Sequence, residues 1–83
     1  GYSVFPAEVE EVLGQHPDVA EVAVLGLADD RKGQVPAAVV RLQPGATLGE
    51  DELRAWAGER LADYKVPVRV VFEDNLPRSL ASA

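Results

Sequence analysis

The hydrophobic period changes along this chain, and each change marks an element. Val9, Val12, Leu13 and His16 recur at helical spacing, with Phe5 just ahead of them. Pro6 suits a first helical position, where its fixed φ and missing N–H cost nothing, and Pro17 stops the helix. Asp18 begins a turn, and residues 20–42 then read as a hairpin. Two Val-rich runs, 21–27 and 35–42, are each about 7 or 8 residues long and flank the polar stretch 28–34. Apolar side chains fall on both faces of these strands, so each face calls for a cover. The helical patterns before and after them are the natural covers.

Gln43-Pro44-Gly45-Ala46 is a turn, and Thr47-Leu48-Gly49-Glu50 matches a capping box, with Thr47 as N-cap and Glu50 reaching back to it. The second helix carries Leu53, Trp56, Ala57, Leu61 and Tyr64 on one face and gives way near Asp63, because Val66 before Pro67 favours extended geometry. Residues 66–73 form a third strand, in which Val68, Val70 and Phe72 alternate with Arg69, Val71 and Glu73. Pro67 at its start argues for a sheet edge. The predicted fold is a small α+β domain of order α-β-β-α-β, with a three-stranded, mainly antiparallel sheet covered by two helices. Its expected core is Val9, Val12, Leu13, Val22, Val24, Val39, Leu53, Trp56, Leu61, Val70 and Phe72.

Composition narrows the function. The 83 residues suffice for one small domain, which can bury only about 60% of its unfolded surface. With 14 acidic against 8 basic residues and a formal charge of −6, the chain lacks the basic patch that nucleic acid or an anionic membrane requires. No apolar run approaches the roughly 18 residues of a spanning helix. Cysteine is absent, which excludes disulfides and thiolate metal sites and fits a reducing compartment. The chain opens on Gly1 without Met and closes on Ala83 without an evident stop, so it reads as a fragment of a larger protein.

Few residues invite chemistry. Glu8, Glu10 and Glu11 could be an acid/base group, but the first turns of a helix favour solvated carboxylates there. His16, the only histidine, sits where it can cap a helix end, with no Asp or second His at ligand spacing. Arg31 and Lys32 stand in a solvated loop, where they could touch a phosphate or a partner domain. Trp56 is a candidate ligand platform but is placed like a core residue.

Two segments carry a resemblance beyond pattern. Residues 1–10, Gly-Tyr-Ser-Val-Phe-Pro-Ala-Glu-Val-Glu, resemble the segment after the interdomain hinge of adenylate-forming enzymes, the acyl-CoA synthetase superfamily. Tyr64-Lys65-Val66-Pro67 followed by Leu76-Pro77-Arg78 resembles that family's closing segment. Between them His16-Pro17, Asp29-Asp30-Arg31 with Gly33, and Pro44-Gly45-Ala46-Thr47 fit in order, so the likeness spans the whole chain.

The resemblance implies that residues 1–83 form one small domain, the mobile C-terminal lobe of a two-lobed AMP-forming ligase. Such an enzyme makes an acyl-adenylate from a carboxylic acid and ATP with Mg²⁺, then passes the acyl group to coenzyme A. The partner is the N-terminal lobe, expected to hold the nucleotide, the metal and the acid, and the setting is the cytoplasm and reactions such as fatty acid metabolism. No metal ligand is expected on this lobe, and the fragment alone is expected to be inactive. Gly1 and Tyr2 fall where the pantetheine arm passes, where a residue without Cβ leaves room. Tyr64 and Lys65 fall where some relatives contact the coenzyme A nucleotide, by an aromatic face and a cation; Tyr64 reads equally well as a helix-end core residue. The family's catalytic lysine stands five residues after the Arg of Leu-Pro-Arg. Here that position is Ala83, preceded by Ser82, so no catalytic residue is assigned. Two other readings stay open: the corresponding lobe of a peptide-synthetase adenylation domain that loads a carrier protein, and an independent α+β binding module.

Overall fold

The computed structural model describes residues 6–31 and 33–76. In chain order it holds α1 (Pro6–Gly14), β1 (Val19–Asp29), β2 (Gly33–Leu42), α2 (Glu50–Gly58), a 3₁₀ turn (Asp63–Lys65) and β3 (Arg69–Phe72). This is the expected order and the expected α+β class. β1 and β2 pair antiparallel from Val19↔Leu42 to Asp29↔Gly33, with a bulge between Val19 and Glu21. The ribbon runs deeper into the polar stretch 28–34 than side-chain pattern suggests, because backbone pairing does not require apolar residues. Gly33 sits at the turn with φ +85°, a conformation that side chains with a Cβ disfavour.

β3 is shorter than residues 66–73 and pairs parallel to β2, from Ala37↔Arg69 to Val40↔Phe72. The sheet is thus mixed, ordered β1-β2-β3, with the antiparallel ladder the longer. α2 is the crossover that a parallel pair demands. Pro67 precedes the strand, as its missing donor requires, and is fully buried.

The two helices do not take one face each. Register places Val22, Val24, Pro36, Ala38, Val40, Val70 and Phe72 on one face. Val9 and Leu13 of α1 and Leu53 and Ala57 of α2 belong to one buried cluster with Val24, Ala38, Val40 and Val70. Both helices therefore lie on that face. The opposite face carries Ala23, Leu25, Leu27, Val35, Ala37, Val39 and Val71; Ala23, Val35 and Ala37 are buried, while Leu27 and Val71 are each 38% exposed. Val39 is consequently half-buried on the far face, and its core place is taken by Ala38 and Val40. Val12, Val22, Trp56 and Phe72 pack at the rim of the cluster.

Helix ends differ from expectation in an informative way. α2 starts two residues later than Thr47 would set it: Gly49 is the N-cap, and its N–H donates to Glu52 Oε1 at 3.0 Å. This releases Glu50, whose Oε2 accepts the N–H of Val70 at 2.7 Å on the outer edge of β3. Glu10 of α1 does the same at the other edge, accepting the N–H of Val24 in β1 at 2.8 Å. Each edge strand thus has an outward amide closed by a helix carboxylate, a device against stray strand pairing. α2 ends at Gly58, short of Asp63. Arg60 donates from its guanidinium to the carbonyl of Trp56 at 2.9 Å, which also accepts the Glu59 N–H at 3.3 Å, and Leu61 stays in the core from outside the helix.

Candidate functional site

The Tyr64–Lys65 turn is held on every side. Leu61 before it and Pro67 after it are buried, and Val66 packs against the core. The Lys65 N–H donates to Ala62 O at 2.8 Å, and Val68 N–H donates to Pro36 O of β2 at 2.8 Å. Arg54 of α2 donates from Nε to Pro67 O at 2.9 Å, tying the turn to the helix before it. The Val66-Pro67 step excludes continued helix, so the chain closes in a single 3₁₀ turn that presents Tyr64 outward, 40% exposed. Tyr64 is thereby a surface residue and not a core one.

Lys65 reaches back across 57 positions of sequence to donate from Nζ to Glu8 Oε1 at 2.7 Å. Its side chain is largely covered, only 18% exposed. The ammonium also lies 5.6 Å from the centroid of the Tyr64 ring. The pKa of Lys65 is raised, mainly by the hydrogen bond to Glu8. Desolvation opposes the shift, while the charges of Glu8 and Tyr64 add to it.

Glu8 lies in the first turn of α1, directly after residues 1–5. The ion pair therefore brings the start of α1 against the Tyr64–Lys65 turn, joining the two segments that carry the family resemblance. Glu8 and Glu10 are engaged by specific partners, so the solvated reading of this acidic turn holds only for exposed Glu11. Nothing in the helical period distinguishes them. Gly1, Tyr2, Lys32 and Ala83 lie outside the described residues.

His16 acts as a cap: its Nδ1 accepts the N–H of Asp18 at 3.0 Å, and its carbonyl accepts that of Val19 at 3.0 Å. Its ring meets Trp56 edge-on, centroids 5.0 Å apart, and the Arg60 guanidinium lies 3.8 Å above Trp56. Trp56 is thus a half-buried ring lidded by a cation, which leaves little of its face for a ligand. A groove of about 350 Å³ lies between the 43–46 turn and the end of β3, over Phe72, Glu73 and Asp74. Among the described residues no polar or charged side chain is fully buried, and no three His, Asp or Glu stand together as metal ligands. No helix among them is long and apolar enough to cross a membrane. What the described residues bring together at the Tyr64–Lys65 turn is an aromatic face, a cation and the carboxylate beside it.

Comparison with known proteins gives the family. The family model for the AMP-binding enzyme C-terminal domain matches residues 8–81. The chain is 56% identical over 81 residues to 2-succinylbenzoate–CoA ligase of Geobacillus kaustophilus, covering 98% of this chain and 16% of that protein. It is 47% identical over 79 residues to indoleacetate–CoA ligase of Aromatoleum aromaticum, covering 95% of this chain and 16% of that one. Among solved structures, o-succinylbenzoate CoA synthetase of Bacillus subtilis in complex with its acyl-adenylate intermediate superposes with a TM-score of 0.86 at 41% identity. That match covers 100% of this chain and 17% of the other. The amide bond synthetase of Marinactinospora thermotolerans superposes with a TM-score of 0.84 at 39% identity, over 92% of this chain and 16% of its own. The chain spans about a sixth of the length of the relatives it matches. With the fold, the motif order and these matches in agreement, the chain belongs to the AMP-binding enzyme C-terminal domain family.

Proposed function

We propose that these residues are the mobile C-terminal lobe of an AMP-forming acyl-CoA ligase, which activates a carboxylic acid with ATP and transfers the acyl group to coenzyme A. The observation that carries the reading is 56% identity over 98% of the chain to a protein named for that activity. The indoleacetate–CoA ligase similarity supports coenzyme A, rather than a carrier-protein arm, as the acceptor. An independent binding module has no comparable support.

In this reading the N-terminal lobe holds ATP, Mg²⁺ and the acid, and the enzyme works in the cytoplasm. Coenzyme A supplies the thiol that attacks the acyl-adenylate. This lobe's residues bind and orient it: Tyr64 offers a ring to the adenine and Lys65 an ammonium to a phosphate, both on a turn fixed by its neighbours. Gly1 and Tyr2 leave passage for the pantetheine arm. Loss of water from the closed interface strengthens the Lys65–phosphate contact.

The test is to give the full-length protein ATP and a panel of carboxylic acids, following pyrophosphate release and thioester formation by mass spectrometry. Acid-dependent thioester on free coenzyme A supports the reading. Pyrophosphate release with acyl transfer only to a carrier protein or an amine overturns the choice of acceptor.

A further inference from the structure

The ammonium that the proposed reading gives to a coenzyme A phosphate is already engaged by an anion of the same chain. Lys65 Nζ donates to Glu8 Oε1 at 2.7 Å, and Glu8 is itself 46% exposed. We infer that Glu8 is an internal competitor for Lys65, a specificity-determining carboxylate that holds the cation in the free lobe and yields it to a nucleotide phosphate. The inference rests on the coenzyme A reading of Lys65 above.

Three features support competition over simple bracing. First, the turn bearing Lys65 is fixed without Glu8, by buried Leu61 and Pro67, by the Val68 N–H to Pro36 O bond and by Arg54 on the Pro67 carbonyl. The salt bridge is therefore not what places the residue. Second, an exposed carboxylate–lysine pair is weak and opens readily in water, so a phosphate carrying more charge can replace the carboxylate. Third, Glu8 left beside the bound nucleotide places a like charge near the phosphate, which lowers affinity for phosphorylated ligands specifically. The pair makes the lobe's grip on coenzyme A weaker than Lys65 alone would give. That favours release of the acyl-CoA product.

The experiment titrates coenzyme A and, separately, pantetheine into the full-length protein holding a non-hydrolysable acyl-adenylate analogue. It reads the ratio of the two dissociation constants, pantetheine over coenzyme A, by calorimetry. Lys65→Ala should lower that ratio about tenfold, the worth of one charge-assisted contact. Glu8→Gln and Glu8→Ala should each raise it about two- to fivefold, the scale of an exposed ion pair. The double variant Glu8→Gln/Lys65→Ala should lie close to Lys65→Ala and at most slightly above it, because with the cation gone only the like-charge repulsion of Glu8 is left to relieve. Because two substitutions of different shape must both tighten coenzyme A, a damaged fold cannot imitate the result. If Lys65→Ala leaves the ratio unchanged, the coenzyme A reading of Lys65 is wrong and the inference fails with it. If Lys65→Ala lowers the ratio but the Glu8 variants do not raise it, the coenzyme A reading stands and Glu8 does not compete.

Discussion

Replacing Glu50 by Ala tests whether the edge carboxylates hold the sheet together. Glu50 Oε2 accepts the Val70 N–H at 2.7 Å, a length typical of a charge-assisted bond. Hydrogen bonds to charged groups contribute about 1.5–3 kcal/mol. The freed amide lies on an edge strand and water can reach it in part, so the net loss should fall near 1–2 kcal/mol. Removing a carboxylate from the first turn of α2 also forfeits about 0.3–1 kcal/mol of dipole interaction. Together these give about 1.3–3 kcal/mol, or a fall in Tm of roughly 5–24 °C for a domain this small. Asp51→Ala removes a neighbouring, exposed first-turn charge and supplies the control, with the dipole part alone. Glu50→Gln keeps a neutral acceptor and should fall between the two. The assays are thermal denaturation and native-state hydrogen exchange at the Val70 amide, whose protection should drop in Glu50→Ala and stay in Asp51→Ala. Equal Tm shifts for both alanine variants, with Val70 exchange unchanged, would refute the edge-lock argument.

Other expectations follow from the same geometry. Arg60→Ala should uncover the single tryptophan, shifting its fluorescence to the red and costing about 0.5–1 kcal/mol; an unshifted spectrum would mean that the guanidinium does not lid the ring. Lys65 has a folded-state pKa above its usual 10.5, so its stabilising pair with Glu8 is intact below that value and is lost as pH rises through the folded pKa. The urea midpoints of the parent and of Lys65→Met should therefore differ by a constant amount from about pH 6 up to about 10 and converge only as pH rises beyond 10.5. This 83-residue chain alone should not bind ATP, and calorimetry detecting micromolar affinity would contradict the division of labour between lobes. In the full-length protein, Ala83→Lys should speed acyl-adenylate formation about 100-fold and leave thiolation of supplied adenylate nearly unchanged; equal adenylation rates would show that the position is misassigned.

Much of this domain could be read from one dimension. Helix and strand periods, Pro6 and Pro17 around α1, and the Val66-Pro67 step before β3 specify the elements and their order, since each acts through backbone geometry within a few residues. The motif order gave the family in the same way. What depended on distance along the chain could not be read so. A strand's alternation does not say which neighbour it joins or in which direction, so the parallel docking of β3 on β2 waited for the crossover through α2. Nor does an apolar pattern on both faces say where the helices go, and both chose the face of Val24, Val40 and Val70.

The acidic residues show the division most sharply. Glu8, Glu10 and Glu50 have the same local signature, a carboxylate near a helix start, and dipole arguments treat them alike. Packing gave them three partners far away in sequence: Lys65, the Val24 amide and the Val70 amide. Local propensity decides where a charge can be tolerated. Only the tertiary structure decides what it meets, because a hydrogen bond depends on an approach within about 3 Å that no sequence spacing encodes.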